Sequence, residues 1–415
     1  MTDSKTSKSD ISATREGRGR AELVLEIGRA LLRLGSPAYR LEDTLKLVAQ
    51  RLGLEGQFYC TPTAFIAALG RGSRQRSFMA RVDAAEIHLG KLSRIHDIIE
   101  SLSQNLLSPV AAIRQIREIM EAPPQYPVIV RLLAPALFSS AIAMIFGGGV
   151  LELAVAFVLG FITGGLGMLM GPRPNLSRLF PALAGTLNAL LVGVALLLLP
   201  PFSAYLALIA GLIILMPGLS LTLATRELAS GHLVAGSSRM AGALVSLVIV
   251  GFGVALGSQL AQMFSGPWPQ DISMAIPAWT HWLSLLIAGI GFTVLFNATP
   301  NKLGWIVLAG ILAVEVGGRV SDWLNPGLGA LVGALLVGVL GNLYARLRNR
   351  PAVIIQVPGI MLMVPGSLGF RSISSLMEQD ALGGLQLAFT VALVAAGLST
   401  GLILASALVP PKRSL

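Results

Sequence analysis

Charge is scarce in this sequence. Lys, Arg, Asp and Glu make up 13% of its 415 residues, against roughly 25% in a soluble domain. A water-soluble enzyme is therefore excluded as a description of the whole chain. Cysteine occurs once, as Cys60, which rules out an intrachain disulfide framework. His88 and His96 lie eight apart on one predicted helix, without a Cys or carboxylate partner at ligand spacing, which argues against zinc. The G-x-G-x-x-G, P-loop and H-E-x-x-H patterns are missing. The first ~20 residues lack the apolar run of about 7–15 residues that a signal peptide needs. No aromatic-interleaved basic groove accompanies the net charge of +10, so nucleic acid is not an expected partner.

Apolar residues are abundant instead. They form 54% of the chain, and the mean hydropathy is +0.73. Ten apolar spans are expected, at about 128–146, 150–170, 179–199, 204–223, 236–262, 281–298, 303–320, 327–345, 352–370 and 384–408. Each approaches the ~20 residues needed to cross a bilayer. If the N-terminal part is cytoplasmic, segments on the inside carry ten Lys and Arg after the first span. Segments on the outside carry only Arg319 and Arg371. That bias is the positive-inside pattern, and it places both termini in the cytoplasm.

Residues 1–19 read as a disordered basic tail and 20–126 as a small cytosolic α+β domain. Leu23, Ile27, Ala30, Leu31 and Leu34 recur at helical spacing before Gly35. Ser36-Pro37 opens a second helix, which ends at Gly53. Phe58 to Leu69 predicts one or two strands, and Arg76 to Val82 another. Helical spacing returns over Ile87–Leu102 and Val110–Met120, and Pro123-Pro124 closes the domain.

The membrane part repeats itself. Met216-Pro217-Gly218 and Val364-Pro365-Gly366 lie 148 positions apart, and at that offset Leu228 meets Leu376 and Gly236 meets Gly384. Segments 181–193 and 329–341 share five identities in thirteen positions. Proline breaks a helix because it lacks the N–H and clashes with the preceding turn. Broken spans at matching places in two halves point to a transporter's binding site. The expected architecture is an all-α polytopic protein of ten spans, with five-span units at 127–262 and 281–410. Five is odd, so the halves enter from opposite sides, as an inverted repeat.

These motifs resemble the threonine/serine exporter family. The N-terminal resemblance rests on Glu26-Ile27-Gly28, Leu34-Gly35-Ser36, Tyr39-Arg40-Leu41-Glu42 and Thr61-Pro62-Thr63. In the first unit it rests on Met216-Pro217-Gly218, Arg226-Glu227-Leu228, Ser230-Gly231-His232, Gly236 and Arg239. In the second it rests on Val364-Pro365-Gly366-Ser367, Phe370-Arg371 and the stretch from Gln379-Asp380 to Gly384. Where the family pattern has an acidic residue ahead of a Gly-Asp-like pair, this chain has Glu227 and Gly231-His232. The resemblance implies export of threonine and serine, without a cofactor, across the cytoplasmic (inner) membrane and in exchange for protons. A small dicarboxylate such as succinate is the nearest alternative cargo. A channel, or an enzyme built on the soluble domain, is the alternative of another class. A homo-oligomer is compatible with the sequence.

Several residues could carry transport. Pro217, Gly218, Pro365 and Gly366 would expose helix N-termini that suit a carboxylate, and the carbonyls upstream suit an ammonium group. Ser220, Thr222 and Ser367 could bond a cargo hydroxyl. Asn188 and Asn297 are either interhelical glue or cargo contacts. Glu315 is either a bridge to Arg319 or an intramembrane carboxylate on the transport route. Glu227, His232, Glu378 and Asp380 are either loop charges or proton carriers, His titrating near neutral pH without help. Glu152 is expected to be a solvated cap.

Overall fold

The computed structural model describes residues 6–72, 75–82, 87–269, 276–377 and 380–410, with side chains described from residue 19 onward except at Pro174. Glu378 lies outside the described residues. The N-terminal domain is α+β, as expected. α1 (Thr6–Arg33) and α2 (Ala38–Arg51) pack together across a turn at Gly35, whose φ of 80° suits glycine. β1 (Gly56–Thr61), β2 (Ala64–Leu69) and β3 (Arg76–Arg81) form an antiparallel sheet in that order. α3 (Leu89–Ser103) and α4 (Pro109–Glu121) complete the layer. Leu23, Ile27, Leu41, Leu45, Phe65, Ile95 and Ile116 are buried in one core, which also takes in Ala235 from the membrane part. One expectation is corrected: most of the segment read as a disordered tail is helix, because α1 starts at Thr6. Once the packed half of α1 is formed, adding further residues costs little.

The membrane part holds α5 (Val128–Ile145), α6 (Val150–Met170), the short α7 (Pro174–Ser177), α8 (Phe180–Leu198), α9 (Ala204–Gly211), α10 (Gly218–Ala229) and α11 (Leu233–Ser265). It continues with α12 (Thr280–Leu295), α13 (Leu303–Ile311), a π-helical turn (Leu312–Val316), α14 (Gly317–Trp323), α15 (Pro326–Arg348), α16 (Val353–Met361), α17 (Gly366–Met377) and α18 (Ala381–Leu408). The sequence predicts ten spans. Among the described residues, eight helices are long and apolar enough to cross a membrane, and the bent pair Ala204–Ala229 makes a ninth. α12, with 16 residues, is shorter than those.

Several contacts recur across the two halves. α8 packs on α11 and α15 on α18; α6 on α9 and α13 on α16; α10 on α11 and α17 on α18. Across the halves, α5 meets α12, α10 meets α17 and α18, and α11 meets α17. α10 and α17, whose first and last residues differ by the same 148 positions, start at the two glycines of the repeated motif. The soluble domain rests on three connections of the membrane part: the α10–α11 corner, the α12–α13 loop and the α15–α16 loop.

Candidate functional site

The two Pro-Gly breaks touch. α9 ends at Gly211, a 3-10 turn covers Ile213–Leu215, and α10 restarts at Gly218, bent by 49° from its predecessor. Pro217 precedes α10 and supplies no side-chain cap. The first helical bond of α10 runs from the Leu221 amide to the Pro217 carbonyl, and that of α17 from the Gly369 amide to the Pro365 carbonyl. The Leu219, Ser220, Ser367 and Leu368 amides therefore lie in the first turns, ahead of those bonds. A Cβ built on Gly218 would fall on Val364 Cγ1 and lie 3.1 Å from the Gly366 nitrogen. One built on Gly366 would lie 3.4 Å from Gly218 Cα. Only glycine lets the two backbones approach this closely. Two helix N-termini thus converge, and their partial positive charges favour an anionic group.

The other predicted residues are placed as follows. Ser220 and Ser367 are half-buried on those first turns, and Pro217 and Pro365 flank them. Thr222 is buried, but its hydroxyl donates back to the Gly218 carbonyl at 3.2 Å. Asn188 is buried and donates to Thr163 Oγ1 at 2.7 Å; Thr163 in turn donates to the carbonyl of Gly211, the last residue of α9. Its own Oδ1 has no partner among the described residues. Asn297 occupies a left-handed turn after α12, with φ 48°, and its carbonyl accepts from Gly90 of the soluble domain at 3.0 Å.

The charged candidates are tied to neighbours. Glu227 is fully buried and accepts both Nε and Nη2 of Arg239, at 2.9 and 3.0 Å. It also accepts the Ala38 amide at 2.9 Å, a donor left free at the start of α2 by Pro37. His232 Nε2 lies 3.3 Å from Glu42, whose other oxygen accepts the Cys60 amide. Asp380 is exposed and caps α18 by accepting from Gly383 at 3.0 Å. Glu315, on the π-helical turn, meets His281 at 2.7 Å and Arg319 at 3.3 Å. Sequence reasoning missed His281, which is 34 residues from Glu315 and shares no helical spacing with it. Glu152 corrects another expectation. It is 2% exposed and caps two helices at once, accepting the amides of Gly149 and Ser203. Two helix N-termini at one point hold a carboxylate out of water.

Between the soluble domain and the membrane part lies a cavity of about 560 Å³. Its walls come from the α1–α2 turn, α2, α3, α10, α15, α16 and α18, and they include Leu219 and Thr222 beside the first break. Burial pushes the Cys60 thiol up to about 12, with the Glu42 carboxylate adding to the effect, so this cysteine is no activated nucleophile.

The comparisons agree with this layout. The family model ThrE, of the threonine/serine exporters, matches residues 22–261. A second model, described as threonine/serine exporter, ThrE, matches 281–408. Among curated proteins, pheromone-regulated membrane protein 10 of Kluyveromyces lactis is 25% identical over 94% of this chain and 44% of its own length. Its namesake in Pichia sorbitophila is 28% identical over 86% of this chain and 37% of its own length. The Saccharomyces cerevisiae protein of that name is 24% identical, over 94% and 54%. The chain thus spans about half the length of these relatives, or less. No solved structure matches it.

Proposed function

Because the chain belongs to the threonine/serine exporter family, we propose that it is a secondary transporter exporting threonine and serine across the cytoplasmic membrane in exchange for protons. The observation that carries this reading is the contact of the two Pro-Gly breaks. In hydrocarbon each unsatisfied backbone group costs several kcal/mol, so broken helices gathered at one place favour a polar, ligand-binding centre there. Pro217, Gly218, Pro365 and Gly366 frame it, with Ser220, Thr222 and Ser367 on the adjoining turns and Asn188 behind the first break. The matched contacts and the 148-residue spacing of α10 and α17 support an inverted repeat of five spans plus five, with α12 as a short sixth span. The soluble domain then lies in the cytoplasm, where it gates access and performs no catalysis.

Of the proton-carrier candidates, the Glu315–His281 pair on the π-turn is the one we retain, because π-turns inside helices gather at functional sites. Glu227, His232 and Asp380 already serve docking and capping contacts. A small dicarboxylate is the second reading, favoured by Arg40 and Arg226, which both line the cavity. Counterflow in proteoliposomes with labelled threonine, serine and succinate tests both. Threonine and serine are expected to exchange; exchange of succinate alone would replace the cargo, and exchange of none would remove the transporter reading.

A further inference from the structure

The cavity under the soluble domain holds cationic groups that the break-centred reading does not use. Arg40 of α2 and Arg226 of α10 both line it. Among the described residues, neither guanidinium has a carboxylate within ion-pair distance. Asp43 acts on Arg40 only from further away. Arg226 lies over the Tyr39 ring, 4.8 Å from its centroid, which fixes the direction of that cation. Burial holds Arg40 below the usual guanidinium range, and Arg226 adds repulsion. His96 stands in the same wall, with its Nε2 buried and without a partner. Burial lowers its pKa, so the ring is neutral near pH 7. The remaining charges in the wall are Asp43 and Lys46, both exposed on α2, and Arg350, which is occupied by Asp97 and Ser93.

Two like charges held together away from bulk water are costly unless an anion joins them. Guanidinium groups suit carboxylates because their N–H forks match the two oxygens. The same cavity is also lined by Leu219 and Thr222, within a turn of Gly218. The cavity therefore links the soluble domain to the break.

We propose that Arg40 and Arg226 form a carboxylate-binding vestibule, shared between the soluble domain and α10, where cargo is held before it reaches the breaks. This assignment rests on the transporter reading. It also gives the soluble domain a share in the binding site: Arg40 comes from one part of the protein and Arg226 from the other, so the site is complete only while Ala38 stays docked on Glu227.

The test is equilibrium binding of labelled threonine and succinate to the full-length protein in detergent, followed by efflux from proteoliposomes. Arg40→Gln and Arg226→Gln should each weaken binding by about tenfold or more, the scale of one charged hydrogen bond. Each should raise KM for efflux more than it lowers the maximal rate. R40K and R226K should recover much of the affinity, and threoninamide, lacking the carboxylate, should not compete. Unchanged affinity and KM in both Gln variants, at an unchanged melting temperature, would overturn the vestibule while leaving transport intact. A wild-type protein that binds these carboxylates through both arginines but moves none of them would leave the site standing and remove the transporter reading.

Discussion

The α10–α11 corner and the α17–α18 corner share one skeleton and carry different surfaces. In the first, a Cβ on Gly236 would lie 2.7 Å from Leu228 and 2.8 Å from the Ala224 carbonyl. In the second, a Cβ on Gly384 would meet Leu376 at 2.5 Å and the Ser372 carbonyl at 3.0 Å. Each of these positions differs from its counterpart by 148. The polar residues diverge at the same offset: Arg226, Glu227, His232 and Arg239 face Ser374, Ser375, Asp380 and Leu387. Among the described residues only the first corner carries the soluble domain, and its extra charges are the ones that contact that domain or hold those contacts in place. The difference separates two demands on one helical pair. Close packing of the corner is met by glycine and leucine in both halves, and docking is met by charge in one half.

The largest expected effect comes from the shared skeleton. Gly218→Leu should abolish efflux, because its side chain would collide with Val364 and press on the Gly366 backbone. Gly218→Ala should lose most activity, and Val364→Ala added to it should restore part, since the severest clash is with a side chain that can be shortened. Labelled-threonine efflux, with membrane insertion checked by accessibility of a C-terminal tag, reads this out. Full activity in Gly218→Leu would show that the breaks do not need their close approach.

A second effect should be confined to one corner. Glu227→Ala leaves Arg239, 15% exposed, without its partner and the Ala38 amide without an acceptor. Removing one member of a buried ion pair costs about 3–5 kcal/mol. The expected results are a lower melting temperature and faster proteolysis near Pro123-Pro124. Ser375→Ala, at the matching position of the other corner, should change neither. Equal losses at both corners would mean that Glu227 serves the helical pair itself.

Some of this was legible in the sequence and some was not. The Pro-Gly repeat announced both breaks, because proline's missing N–H acts locally whatever packs around it. The helices and strands of the soluble domain followed from periodicity, since that core is formed mostly by contacts among neighbouring elements. Glu227 and His232 read either as loop charges or as proton carriers, and their docking contacts stayed hidden because their partners, Ala38 and Glu42, lie about 190 positions away. No spacing rule links a carboxylate to the free amide of a distant helix. Glu152 read as solvated for the same reason: Ser203, the second amide it caps, belongs to another helix. The Arg40–Arg226 pair was likewise hidden, each residue being an ordinary loop-side or helix-side cation in isolation.

A smaller effect should follow pH at the docked face. Burial, and then Lys91, lower the His88 pKa to about 4, and its neutral Nδ1 accepts the Lys91 amide at the start of α3. The next two amides donate to Phe296 and Asn297 in the α12–α13 loop. A lowered histidine pKa means that the unfolded chain takes up the proton first. Stability is therefore complete above about 6.5 and declines as the pH falls from there toward 4. His88→Asn keeps a capping acceptor without titrating, so its melting temperature should fall less over that window. An equally steep fall in the variant would assign the acid sensitivity to other groups.

The smallest effect is expected where the second corner has its own charge. Asp380 stands at the position matching His232, is exposed, and accepts the Gly383 amide at the start of α18. Asparagine caps a helix about as well as aspartate, so Asp380→Asn should change stability little, while Asp380→Ala should cost about 1 kcal/mol. If the carboxylate only caps, efflux of labelled threonine by Asp380→Asn should follow the wild-type pH profile. If it exchanges protons, the amide removes the titrating group, and the acidic limb of that profile should shift or vanish while the melting temperature stays unchanged. The second result would restore Asp380 as a proton carrier and make the two corners differ in transport chemistry as well as in what they dock.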